Sequence, residues 1–162
     1  MIRKEIESVD AYFCQSFGPR ENGPGISNEF LAGIIAETYN KLPKTLIIQK
    51  DAAEAFPENI KIDKVISAHR KPGKYLDTYE VSRQCAEYCK EHNIKKLLIF
   101  AHPDQIWRVA RSIERFGIKT VSVELSSMPY DPESVQPWPR SRRAFLPREF
   151  IVRIAYLFSG KI

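Results

Sequence analysis

The chain has 162 residues, 43% of them hydrophobic and 28% charged, with a formal net charge of +5 and a pI near 9.1. That length suits one compact domain able to bury roughly two thirds of its unfolded surface, and the composition is ordinary for a folded soluble protein. The longest apolar runs, such as residues 97–101, are too short to cross a bilayer, and the mixed charges from Met1 to Glu7 leave no apolar stretch for a secretion signal.

A cytoplasmic location is therefore expected, with no membrane span. The modest positive excess suits small anionic partners, phosphate ligands among them, as well as it suits nucleic acid. Three cysteines, none in a Cys-x-x-Cys pair, read as reduced thiols. Cys85, Cys89 and His92 share one helical face, but that face is otherwise apolar, so core packing is expected there and no metal.

In chain order, the first predicted strand covers residues 11–17 and runs into a loop, residues 17–28, holding three glycines and two prolines. Such a loop before a helix can turn backbone N–H groups and the helix dipole toward an anion, so Gly18, Arg20, Asn22 and Ser27 are candidate ligand-binding residues. The spacing matches neither dinucleotide nor P-loop patterns, and a plain connection stands as the alternative. A helix over residues 28–41 follows, with Phe30, Leu31, Ile34 and Ile35 on one side.

The second strand, residues 45–49, is followed by Asp51, where a dinucleotide-binding fold keeps a carboxylate for a ribose diol; a simple helix cap is the competing reading. The third strand, residues 64–68, leads into His69, Arg70 and Lys71. The next helix begins near Asp77, which with Glu80 resembles a capping box, and it carries an apolar stripe of Val81, Cys85, Tyr88 and Cys89.

A fourth strand over residues 96–101 ends at His102, and a helix over residues 103–117 starts with Pro103 and stops at Gly117. A helix N-terminus lowers the pKa of a histidine, which would suit His102 to general acid/base work or to neutral hydrogen-bond donation. Arg108, inside that helix, and Arg148 with Glu149, at the start of the last one, bring arginine forks suited to phosphate or carboxylate.

A fifth strand covers residues 120–125, and the last helix runs over residues 147–159 up to Gly160. Between them, Pro137 to Arg143 mixes aromatic and basic residues. Its prolines favour a stiff lid over the sheet edge; a nucleic-acid or protein adaptor using Arg140, Arg142 and Arg143 is the less favoured reading. The alternation of elements predicts a doubly wound, mostly parallel five-stranded sheet in a Rossmann-like three-layer α/β fold, with ligands outside the carboxyl ends of the strands.

Several of these motifs fall in an order that resembles the SanA, ElyC and YdcF domain family. They are Asp77-Thr78-Tyr79-Glu80 opening a helix, Leu98 to His102 followed by Trp107-Arg108-Val109-Ala110, Phe116-Gly117, Arg148-Glu149, and Tyr156 to Gly160. The resemblance implies a Rossmann-like sheet, a polar pocket at its carboxyl edge and an association with the bacterial cell envelope; one relative, YdcF, is linked to binding S-adenosylmethionine. It carries Gly18, Thr78, Glu80, His102, Arg108, Arg148 and Glu149 onto family positions. Val81 replaces the usual asparagine, and Lys50-Asp51-Ala52-Ala53 replaces a Ser-Gly-Gly turn.

The expected site has His102, Glu80, Arg108 and Arg148 in chemical roles, with Thr78, Asp51, Glu149 and the Gly18 loop contacting ligand. Thr78, Glu80, His102, Arg108 and Arg148 are expected around one pocket holding a small anionic, phosphate-bearing ligand. An S-adenosylmethionine or nucleotide module without hydrolytic activity is the alternative, leaning on Asp51 and the loop. The sequence carries no signal for an oligomeric state.

Overall fold

Strands covered on both faces need apolar residues at successive positions; of the five strands that form, the three central ones meet this and the two at the sheet edges are partly exposed. The strands are β1 (Ala11–Cys14), β2 (Thr45–Gln49), β3 (Lys64–Ile66), β4 (Lys96–Phe100) and β5 (Lys119–Ser122). The computed structural model describes residues 6–162, so the expectation made for the first five residues lies outside the described residues. Neighbouring strands follow the order β3-β2-β1-β4-β5, and every pairing is parallel.

The helices are α1 (Ile26–Lys41), α2 (Lys50–Ala53), α3 (Thr78–Glu91), α4 (Pro103–Glu114) and α5 (Arg142–Phe158), with one 3₁₀ turn at Trp138–Arg140. Alternate strand residues feed two cores. Tyr12, Cys14, Leu46, Ile48, Leu98 and Phe100 meet Leu31 and Ile35 of α1 on one face. Ala11, Phe13, Ile47, Leu97 and Ile99 meet Val81, Cys85 and Cys89 of α3 and Val109 and Ile113 of α4 on the other. The three-layer arrangement expected from the sequence is thus the one found.

Strands β1, β3 and β5 stop two or three residues short of the apolar runs that announced them. Gln15 N–H still donates to Phe100 O of β4 at 3.0 Å, and beyond it the backbone is held by side chains: Ser16 N–H donates to Gln49 Oε1 at 3.3 Å and Phe17 N–H to Asn28 Oδ1 at 2.9 Å. The apolar pattern therefore continues, in Phe17, after the ladder has ended.

Helix α5 begins at Arg142, five residues before the expected start at Pro147. Ser141 supplies the N-cap, its Oγ accepting from Ala144 N–H at 3.3 Å; a hydroxyl that satisfies an orphan donor decides the start more strongly than a proline suited to the first turn. Pro147 sits exposed inside the helix, and Arg148 falls in its second turn. Phe145 stacks edge-on against Phe17 beyond β1, and Tyr156 Oη accepts from Tyr79 N–H in the first turn of α3. Both neighbours stand at the carboxyl ends of strands, so α5 lies across that edge and walls in the space below it.

Candidate functional site

The sheet order puts the chain's change of direction between β1 and β4, where successive connections leave toward opposite faces and open a crevice. A cavity of about 450 Å³ occupies that edge. Its floor is the residues leaving β1 and β2: Gln15, Ser16, Gln49 and Asp51. Thr78 at the start of α3 and Gln105 and Arg108 of α4 form one side, and Arg148 and Tyr156 of α5 face them, with Gly18, Trp138 and Pro139 over the top. The Pro137 to Arg143 segment thus contributes part of a cover, although Arg142 and Arg143 belong to α5 and Arg140 Nε donates to Ser134 O at 2.7 Å.

The α5 wall carries the charge. Arg108 and Glu149 are both buried, and the guanidinium grips the carboxylate through Nε, 3.0 Å from each oxygen, and through Nη2, 2.8 Å from Oε2. Arg153 shares the same carboxylate at 2.9 Å. Arg148 differs. Among the described residues no carboxylate pairs with it; its guanidinium lies 4.0 Å over the Trp138 ring, within the range of a cation–π contact. Burial, and secondarily the nearby charge of Arg108, lower its pKa. Three arginines stand around one carboxylate, which leaves this wall positive.

The floor is built of amides. Gln15 Nε2 donates to Gln49 Oε1, and Ser16 Oγ donates to Asp51 Oδ2 at 3.2 Å. On the α4 side, Gln105 Nε2 donates to Thr78 Oγ1 at 3.2 Å. The carbonyl oxygens Gln15 Oε1 and Gln105 Oε1 are buried with no hydrogen-bond partner among the described residues.

Of the five residues expected around one pocket, Thr78, Arg108 and Arg148 line this cavity, and Glu80 and His102 do not. Asp77 caps α3 by accepting from Glu80 N–H at 2.8 Å, but the Glu80 side chain turns away from the cap. It accepts from Arg70 Nε at 3.0 Å and Gln84 Nε2 at 2.9 Å and pairs with Arg83 at 2.6 Å. Despite its burial, these donors hold its pKa down at about 2. Three donors outweigh one cap N–H, so only half of the expected capping box forms.

His102 caps α4, its Nδ1 accepting from Asp104 N–H at 3.3 Å. His102 is 2% exposed, its ring stacked 4.1 Å from Phe17 and tilted against Tyr130 at 4.3 Å. Burial lowers its pKa to about 4. The neutral form expected of it is present, mainly through desolvation, but the ring is core filler and not a group facing the cavity.

The Gly18 loop is already supplied with an anion, and the anion is the chain's own. Asp131, with no solvent exposure, accepts from Ile26 N–H at 3.1 Å at the N-terminus of α1 and is clasped by Arg20 Nε and Nη2 at 2.8–3.1 Å. Arg20 also pairs with Glu133 at 2.7 Å. Gly25 is required there: its φ is +81°, and a Cβ would stand 2.2 Å from Asp131 Oδ2. Ser27 donates to Pro129 O at 2.9 Å, and Asn22 is exposed. Of the loop's candidates, only Gly18 lines the cavity.

Cys85 and Cys89 are buried against the sheet, burial raising the Cys85 pKa well above its usual value, while His92 is exposed and stacked on Tyr88. Among the described residues no group of three His, Cys, Asp or Glu is placed to hold a metal ion, and no helix is long and apolar enough to cross a membrane. The reading by residue type overlooked Gln15, Gln49 and Gln105, and took in Trp138 only as part of the covering segment. Gln49, which ends the second predicted strand, was the available signal, because a polar residue that closes an apolar run sits at the sheet edge; Gln15 lay inside the first predicted strand, residues 11–17, which ends in the structure at Cys14. Neither a known family model nor a curated protein matches this chain.

Proposed function

We propose that this chain binds a small anionic, phosphate-bearing ligand in the cavity at the carboxyl edge of its sheet, with Arg148 as the main charge partner. The observation that carries this reading is the state of Arg148: a half-buried guanidinium turned to the cavity with no carboxylate partner among the described residues. Removing an arginine from water has a free-energy cost, and an oxyanion accepting from its fork offsets that cost. Arg108 adds charge behind it, already oriented by Glu149. Thr78 opens on the cavity at the start of α3, whose N-terminus is already capped by the Asp77 carboxylate.

Within this reading the acid/base roles expected of His102 and Glu80 have no support, because neither side chain lines the cavity. Binding is therefore better supported than catalysis. The alternative of an S-adenosylmethionine or nucleotide module loses its loop, whose helix N-terminus holds Asp131. A link to the cell envelope rests on the resemblance to the SanA, ElyC and YdcF family alone.

The test is a thermal-shift and calorimetric comparison of the wild type with Arg148→Ala, using inorganic phosphate and sugar phosphates. The variant is expected to weaken binding by about 1.5–3 kcal/mol, the range for hydrogen bonds to charged groups, and to leave the urea midpoint nearly unchanged. Equal affinity for both proteins would overturn the assignment.

A further inference from the structure

Helix α5 turns its charged side inward and its apolar side out. Phe145, Glu149 and Tyr156 are buried on the inner face, and Arg148 lines the cavity from it. At about 100° per residue, Leu146, Phe150, Ile151, Ile154, Leu157 and Phe158 fall on the other face within one continuous arc. All six are exposed, Phe150 and Ile151 to 66% and Phe158 to 90%. A helix packed on a domain normally shows polar residues there. The largest apolar patch of a typical monomer is about 300–600 Å², and six large side chains open to this degree reach the upper end of that range, which marks the face as a docking surface.

Charge decides what docks on it. The one acid of the helix, Glu149, points inward onto Arg108, so the outer face of α5 contributes no carboxylate. The stripe is bracketed by cations instead. Arg143 stands in the first turn, and Arg115, directly after α4, brings its guanidinium to the far end, where a Cβ on Gly160 would stand 3.4 Å from Arg115 Nη2. Both arginines are exposed, and neither has a carboxylate partner among the described residues. Lys161, at the same end, already pairs with Asp77.

We propose that α5 docks on an anionic lipid surface, its apolar face at the boundary of the acyl chains and Arg143 and Arg115 among the headgroups. Docking of this kind needs no membrane span, because its strength comes from buried apolar area plus attraction to anionic lipid. A second copy of the chain suits the stripe less well. Twofold pairing of two such helices sets arginine against arginine, Arg143 against Arg143 if parallel and against the Arg115 end if antiparallel, on chains that each carry a net charge of +5. The cavity lies on the inner face of α5, so the proposal does not depend on what binds there.

Cosedimentation of the full chain with vesicles tests this. Vesicles of equal parts phosphatidylcholine and phosphatidylserine should bind the wild type about tenfold more tightly than pure phosphatidylcholine vesicles, an advantage lost in high salt, as two arginines near the surface imply. Arg143→Ala should remove about fivefold of that preference. Phe150→Ser and Phe158→Ser delete apolar area without adding charge, and each should weaken binding to the mixed vesicles about tenfold. Both should leave the urea midpoint nearly unchanged, since neither side chain is buried in the free protein.

Absence of binding to the mixed vesicles would overturn the proposal, as would equal affinity for the two lipid compositions or binding that survives undiminished in both phenylalanine variants. A wild type that sediments at twice 18.7 kDa and becomes monomeric in Phe150→Ser would give the face to a second copy and overturn it too.

Discussion

The loop after β1 and the α5 wall of the cavity both assemble arginine and backbone donors suited to an oxyanion, yet they differ in what fills them. In the loop, Arg20 and the N-terminus of α1 close on Asp131, a carboxylate 105 residues further along the chain from Ile26. On the wall, Glu149 satisfies Arg108 and Arg153, and Arg148 is left facing the cavity. The difference teaches that a phosphate-like pattern in a sequence describes an anion site without saying whose anion occupies it. An anion supplied by the chain makes the site a clasp that holds two segments together; a missing one leaves it available to a ligand.

The largest effect should come from breaking the closed part of the wall. Glu149→Ala would strand Arg108, whose side chain is 4% exposed, and should destabilise the fold by about 3–5 kcal/mol in urea titrations. A loss below about 1 kcal/mol would mean that the pair is not the structural half of the wall. Next in size, Asp131→Ala should cost about 2–3 kcal/mol, less because Arg20 keeps 24% of its side chain in solvent. That variant should also gain stability from added sulfate beyond any gain in the wild type, since the vacated helix N-terminus and Arg20 would then accept an external anion. No difference in sulfate response would show that the loop is not an anion site at all.

The smallest effect separates core from site through pH. His102 has its folded pKa lowered to about 4 from 6.5, so below pH 6.5 the unfolded chain takes up protons that the folded one does not. Stability from this residue is full above 6.5 and is lost as pH falls toward 4. His102→Phe should flatten the stability curve between those values and leave ligand affinity unchanged. Glu80 contributes in a lower window: its folded pKa of about 2, against 4.5, means that its contribution is lost from about pH 4.5 downward. A change of ligand affinity in His102→Phe would return the histidine to the binding site.

Much of this architecture was legible in the residues themselves. Alternating apolar strands, Pro103 after His102, Asp77 ahead of Glu80 and the stripe of Val81, Cys85 and Cys89 are local patterns, and each produced the element it announced. Where local signals competed, the outcome depended on partners: Ser141 capped α5 before Pro147 could open it, and Arg70, Arg83 and Gln84 drew Glu80 away from its cap. Thr78 and Arg108 met at one cavity because the first turns of helices that follow parallel strands share one edge, a consequence of connection handedness, whereas Arg148 reached it because α5 lies across that edge.

By itself, then, the sequence determined periodicity, caps and strand count, because these depend on residues within a turn or two of one another. Only the tertiary structure decided which charges are already answered. Arg20 and Arg148 look alike in sequence; Asp131 reaches one, and no carboxylate among the described residues reaches the other. Likewise His102 is a core ring because Phe17, Tyr130 and Phe145 close over it from three separate segments. Pairing and burial are sums over distant segments, and no local window contains those terms.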